Sequence, residues 1–232
     1  MRTTLICHVL LLAACAKPNL PPRAAVEPDA PESRAPREES LAVSGLLGTL
    51  SQLEIQNALE PRLPKFLRCA TQRRAQLDVL AGTLTMRFNV AVDGSVDHVQ
   101  PAESTLGDRE AERCMLEVAT ATHFPAPHGG EAEFRWPLEL PPDAEVRPPV
   151  ELLPDPAREP LAEGRPELHA KCGGGPVVVT AYIDPTGQVQ AAGVSASELA
   201  TPSELDCVAE GIRALRFESP GSYVGKLSFS LP

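Results

Sequence analysis

Long apolar runs are scarce in this chain. Beyond the N-terminal stretch nothing approaches the roughly 18 consecutive apolar residues that a membrane helix needs, so the folded part is expected to be water-soluble. Positive charge is scarce too: 21 Lys and Arg stand against 31 Asp and Glu, a formal charge of −10, with a pI near 5.0. Affinity for nucleic acid rests on neutralising phosphates with Lys and Arg, so that class of partner is disfavoured. The basic cluster Arg68, Arg73 and Arg74 reads as a solvated helix face.

Catalytic and metal-binding patterns are missing as well. Ser104, Ser197 and scattered Asp and Glu offer no elbow around a nucleophile and no fixed base. Glu117 and Glu210 lie in corresponding helices and read as solvated faces. No Cys-x-x-Cys pair suggests redox chemistry, and His98, His123 and His128 do not stand at finger-like intervals from the cysteines. The expectation is therefore a protein that is not an enzyme, with no catalytic residue, no cofactor, no metal and no evident small-molecule substrate.

What is present begins at the N-terminus. Arg2 precedes an apolar run from Leu5 to Ala14, broken only by His8, which ends at Leu12-Ala13-Ala14-Cys15. Such a run is too short to anchor as a spanning helix. Cation, short apolar core and small residues before a cut describe a secretory signal. A cysteine directly after Leu-Ala-Ala resembles the lipobox of bacterial lipoproteins. The resemblance implies a signal peptide over 1–14, lost together with Cys7, and lipidation of Cys15, whose several acyl chains would hold the protein on a membrane. By resemblance to the sorting rules of some Gram-negative bacteria, Ala16 rather than Asp after Cys15 implies the outer membrane, with the protein on its periplasmic face.

Residues 15–46 carry Pro18, Pro21, Pro22, Pro28, Pro31 and Pro36 among mixed charges, too little apolar surface to offset the entropy of ordering. They read as a disordered tether, which would span about 30 Å as a coil and about 90 Å if extended. A second proline-rich stretch, 141–165, reads as a linker between globular segments at 47–140 and 166–232.

Those two segments match each other. A shift of 93 residues lays Gly82 on Gly175, Gly94 on Gly187, Val96 on Val189, Cys114 on Cys207, Phe124 on Phe217 and Leu138 on Leu231. Eleven of 58 positions between 82 and 139 are identical without a gap, roughly three times chance, and the pattern reads as a tandem repeat.

Each copy reads as β-β-α-β. In the first, Leu84, Met86, Phe88, Val90 and Val92 alternate with polar or small residues, Asp93-Gly94 marks a hairpin turn, and Val96 and Val99 belong to the returning strand. Asp108 has the character of an N-cap for a helix carrying Ala111, Cys114, Met115, Val118 and Ala121, which Phe124-Pro125 stops. Phe134, Trp136, Leu138 and Leu140 alternate as a third strand. In the second, a strand over 177–183 is followed by a turn at Pro185-Thr186-Gly187, a helix over about 203–215, and a last strand with Leu227, Phe229 and Leu231. A helical segment precedes the first copy, where Ser51 and Glu54 have capping-box form and Pro61 and Pro64 must kink or split the helix.

Without Cys7 and Cys15, four cysteines are left, an even number that reads as a disulfide framework in an exported protein. Three pairings are open. Cys69 with Cys114 and Cys172 with Cys207 is favoured, because each copy then closes on itself; each link would contribute about 4 kcal/mol on the loop-entropy model.

The first copy resembles the C-terminal domain of the TonB family, and more closely the AgmX/PglI-type version. The matching pieces are Leu67-Arg68-Cys69, the run from Gly82 through Asp93-Gly94 to Val96, Glu103-Ser104-Thr105, Cys114, the corner Phe124-Pro125-Ala126-Pro127, and the strand from Phe134 through Trp136 to Leu138. The likeness covers about 49–140 well and 172–232 weakly. It implies an α+β fold of two tandem β-β-α-β modules behind the tether. It also implies a partner in the envelope that adds a strand to an exposed sheet edge. TonB-type energy transduction enters through a transmembrane helix, for which this chain would carry a lipid instead. The expected role is thus a non-catalytic binding or scaffolding lipoprotein whose ligand-binding residues are unknown; the alternative is a structural pair within an envelope, motility or transport complex, and an envelope hydrolase is a third, weaker reading.

Overall fold

The computed structural model describes residues 47–153, 168, 170–173 and 175–231. Cys15 and the stretches read from the sequence as a signal peptide and a tether lie outside them. The fold is α+β, with two four-stranded mixed sheets and few helices.

The first sheet has β2 (Gly82–Val90) at its centre, antiparallel both to β3 (Val96–Ser104) and to β4 (Glu131–Leu140), with the two-residue β1 (Leu47–Gly48) parallel to the start of β4. Alternation of side chains explains β2: Leu84, Met86, Phe88 and Val90 are buried while their neighbours are half-buried. The hairpin closes at Gly94, whose φ of 88° favours glycine. An added Cβ there would run into Phe124 O, and the same pair is locked by Phe124 N donating to Gly94 O at 2.8 Å.

Helices cover one face of this sheet. Ser51 caps α1 (Gln52–Leu59) with a reciprocal bond from Glu54. Pro61 and Pro64 then divide the segment: a 3₁₀ turn over Glu60–Arg62 leads into α2 (Leu63–Arg74). Asp108 caps α3 (Arg109–Thr120) by accepting from Ala111 N at 2.7 Å. Phe66, Leu59 and Met115 come down from these helices onto Phe88 and Phe124, all fully buried or nearly so. Phe134 stacks on Phe88 at 4.9 Å, and Trp136 lies 5.5 Å from Phe66. Truncating Phe88 to Ala would cost about 3–5 kcal/mol.

The second sheet repeats the strand order of the first. Its central β6 (Val177–Ile183) is antiparallel to β7 (Val189–Ala196) and β8 (Gly225–Leu231), and β5 (Val150–Leu152) runs parallel to the start of β8. β5 falls inside the stretch read as a linker, and its approach is pinned by Arg147 lying 3.4 Å above the Tyr223 ring. Helix α4 (Pro202–Arg213) has the bounds of α3 moved by 93 residues, and Thr201 and Glu204 form its capping box. Gly187 and Phe217 repeat the lock of Gly94 and Phe124, again at 2.8 Å. Val179, Ala181, Ile183, Val194, Leu205 and Ile212 form a second core.

Disulfides join Cys69 to Cys114 and Cys172 to Cys207. The first ties α2 to α3, and the second ties the helical turn before β6 to α4. Both sheets fall within one compact unit, Val43–Pro232, and so belong to one body.

Candidate partner-binding edge and the seam between the sheets

Each sheet has two edges, and the two differ in what covers them. β4 hydrogen-bonds β2 along its whole length, from Gly82 opposite Leu140 to Val90 opposite Ala132. On its other side β1 pairs only with Glu131 and Ala132, so residues 133–140 meet no strand among the described residues. A row of backbone donors and acceptors like this is a template for another strand, and native sheets blunt it with charge and proline. Glu133, Arg135 and Glu139 are exposed along it, and Pro137 removes one donor. Leu53, 65 % exposed, and Leu67, 48 % exposed, lie on the neighbouring α1 and α2. β8 is similar: β5 covers only Gly225 to Leu227.

The opposite edges, β3 and β7, face each other. Gln100 on β3 is buried and bonds three backbone groups of the other half: its Nε2 donates to Ala196 O at 3.1 Å and Glu198 O at 2.6 Å, and its Oε1 accepts from Ala200 N at 3.2 Å. Thr180 Oγ1 donates to Ser104 O at 3.2 Å, while Arg87 Nη1 donates to Ser197 O at 2.8 Å. Tyr182 is fully buried against the first core; its hydroxyl donates to Ala81 O at 3.0 Å and accepts from Ala81 N at 3.2 Å. Burial pushes that phenol up to about 12. Lys226 Nζ donates to the same Ala81 O at 2.8 Å, and burial lowers its ammonium from the ordinary range.

The most buried charge-bearing group sits in this seam. Glu112 on α3 is 0 % exposed. Its Oε1 accepts from Ser104 Oγ at 2.7 Å and its Oε2 from Val194 N, on β7, at 3.2 Å. Gly193 gives it room, since a Cβ there would collide with Oε1. Burial outweighs the Ser104 bond and the nearby Arg109, and pushes the carboxyl up to about 7.

At the rim of the seam, charged groups from α2, α3 and α4, with uncharged residues of β7, line a cavity of about 190 Å³. Arg73 forms a two-pronged pair with Asp108, at 3.0 and 2.6 Å, and the hydrogen bonds to Asp108 hold its guanidinium above the ordinary range. Arg109 donates to Asp206 at 2.7 Å across the seam. Arg73 and Arg109 are thus spent on pairs that join α2 to the start of α3 and α3 to α4.

The basic cluster is not the solvated face that its sequence suggests. Arg68 is exposed, but Arg73 is only 16 % exposed on its ion pair, and Arg74 bonds Leu80 O at 3.0 Å and Pro141 O. Two of the three arginines thus fasten α2 to α3 and to the end of the β2–β4 pair where Gly82 faces Leu140. Ser104 is buried with its hydroxyl on Glu112, Ser197 is exposed, and Glu117 and Glu210 are both exposed on their helices. Among the described residues, no group of three or more His, Cys, Asp or Glu is arranged to hold a metal ion, and no helix is long and apolar enough to cross a membrane.

Sequence reasoning missed the seam residues Gln100, Glu112, Tyr182 and Gly193. A signal for them was present. The run 177–183 is apolar almost throughout and does not alternate as β2 does, the mark of a strand buried on both faces. No protein-family model, no curated protein and no solved structure matches the chain.

Proposed function

We propose that the protein is a lipid-anchored lipoprotein of the cell envelope, facing the periplasm, that binds a protein partner by taking a strand of it onto the outer edge of β4. In this reading it is not an enzyme and takes no cofactor. The observation that carries it is the run 133–140 of β4, which keeps a long edge without a strand beside it among the described residues. Backbone hydrogen bonds along such an edge supply affinity, and side-chain pockets beside it supply selectivity. The lipobox-like Leu12-Ala13-Ala14-Cys15 and the proline-rich 15–46 support the anchor and the tether. The common strand order of the two sheets, with the 93-residue match, supports two tandem modules of the kind found at the C-terminus of TonB. Ser104, the residue nearest to a nucleophile paired with a carboxylate, is buried away from any substrate, which favours binding over catalysis. The test is a pull-down from solubilised envelopes with the full chain and with Glu139→Pro, which adds a second proline to the edge. The reading expects a protein captured by the first and lost with the second; equal capture by both, or no capture above background, contradicts it.

A second reading is a structural pair inside an envelope, motility or transport complex, and the seam favours it: Gln100, Glu112 and Tyr182 are spent on holding the halves together. Expressing 147–232 alone, which keeps β5 and Arg147 with the second sheet, separates the two. A folded fragment favours independent binding modules, and an unfolded one favours a single structural body.

A further inference from the structure

The seam contains one carboxylate that is wholly removed from water and touches both halves. Glu112 belongs to the first half through α3 and Ser104, and to the second through Val194 N, a backbone donor on the edge strand β7. That donor faces away from β6 and would otherwise need water or another strand. Gly193 brings the β7 backbone close enough for the contact. Position 101, which matches Val194 at the shift of 93, is Pro101 and has no N–H, and position 205, which matches Glu112, is Leu205. The contact is therefore made once and has no counterpart on the other side of the seam.

We propose that Glu112 is a proton-dependent latch: protonated, it keeps β7 seated on α3, and ionised, it favours release of the seam and exposure of the facing edges of β3 and β7. The groups around it are few. On α3, Arg109 Nη1 lies 3.8 Å away and Asp108 precedes it. Asp108 is held by Arg73 from α2, and Arg109 by Asp206 from α4. From β3 it meets the neutral Ser104, and from β7 only the backbone of Gly193 and Val194. Arg109 Nη1 has no hydrogen-bond partner and stands beyond bonding distance of the carboxylate, so this cation favours the charged form without offsetting its burial.

The sign follows from linkage. In the closed seam burial raises the carboxyl to about 7, whereas a hydrated carboxyl titrates near 4.5. Between those values the closed state binds the extra proton, so the ratio of open to closed rises up to about tenfold per pH unit and levels off above about 7.

The experiment is amide hydrogen exchange on the full chain from pH 5 to 8, expressed as protection relative to each amide's intrinsic rate. Val194 is expected to lose protection by up to about tenfold per unit up to about pH 7, while Phe88, inside the first sheet, holds its protection. Glu112→Gln keeps the shape without a charge, its Oε1 placed to accept from Val194 N and its Nε2 to donate to Ser104 Oγ, and should make Val194 insensitive to pH. The proposal is overturned if Val194 follows Phe88, or if Glu112→Gln keeps the wild-type dependence. A carbon-13 titration of the Glu112 carboxyl in the unmodified chain covers the case in which the variant fails to fold: a midpoint near 7 supports the latch, and one near 4.5 overturns it.

Discussion

Arg113 and Asp206 stand 93 residues apart, the shift that relates the two halves, and face each other across the seam at 3.8 Å. Arg109 and Pro202 are separated by the same 93 and also meet, through Arg109 Nη2 and Pro202 O at 3.5 Å. Residues in one role touching each other is what a twofold interface produces, because patch i meets patch i about the axis. Arg87 and Thr180 extend the pattern. They match at the same shift, and each donates to a carbonyl near the end of the other half's second strand. The symmetry fails where Gln100 faces a backbone and its match is Gly193, and where Tyr182 enters the first core while its match is Asn89. The halves thus meet around a local twofold and are then locked by one-sided contacts, which leaves the outer edges of β4 and β8 turned away from the seam in strand order.

Tyr182→Phe removes one hydroxyl that serves both Ala81 N and Ala81 O. Lys226 still reaches Ala81 O, but the amide is left without its partner. A buried group that loses its bond costs about 1–3 kcal/mol. Urea unfolding of the variant should show a loss of that size with an unchanged slope.

Reduction of the disulfides should act on stability more than on local geometry. The links span 45 and 35 residues, and each constrains the unfolded chain by about 4 kcal/mol on the loop-entropy model. Cys69→Ala with Cys114→Ala is expected to lower the melting temperature by roughly ten degrees, and the pair Cys172→Ala with Cys207→Ala to do the same. Calorimetry of the two double variants checks this, and a change of only a degree or two in both would contradict it.

Stability should fall on both sides of a mildly acidic optimum. Asp93 and Asp184 accept bonds from their own turns, and Glu54 and Glu204 from their capping serine and threonine, all of which lower these carboxyls below the ordinary range. Their contribution is present above the ordinary carboxylate values and is lost as pH falls through the lowered ones. Glu112 has the opposite sign: its contribution is full below about 4.5 and is lost as pH rises towards about 7. Denaturant midpoints measured from pH 3 to 8 should peak near pH 4.5 to 5, and Glu112→Gln should flatten only the upper limb.

Much of the α+β architecture was legible because local chemistry points the same way as the fold. Alternation over Leu84 to Val90, the turn at Asp93-Gly94, the caps at Ser51 and Asp108 and the breaks at Pro61 and Pro64 each act within a few residues. β1 and β5 were not legible. They are two and three residues long and owe their pairing to a neighbour already in place, which no local pattern records. The seam was hidden for a related reason. Glu112 looks like any helix-surface acid until β7 is laid over it, and Arg73 looks solvated until Asp108 is brought beside it from 35 residues away.

Attachment through Cys15 has a simple expected outcome. Cys15→Ser should move the protein from the membrane fraction to the soluble periplasmic fraction, since two or more acyl chains anchor stably and none would be added. Fractionation followed by immunoblotting reads the result, and an unchanged membrane distribution contradicts the anchor.

Partner capture at the β4 edge is tested most directly by photo-crosslinking in living cells. A crosslinking amino acid at Glu133 or Glu139 lies on that edge, while the same group at Glu117 or Glu210 lies on an exposed helix face of each half. A discrete adduct with an envelope protein is expected from the two β4 positions and none from the two helix positions. Adducts from the helices alone, or equal yields from all four sites, would contradict it.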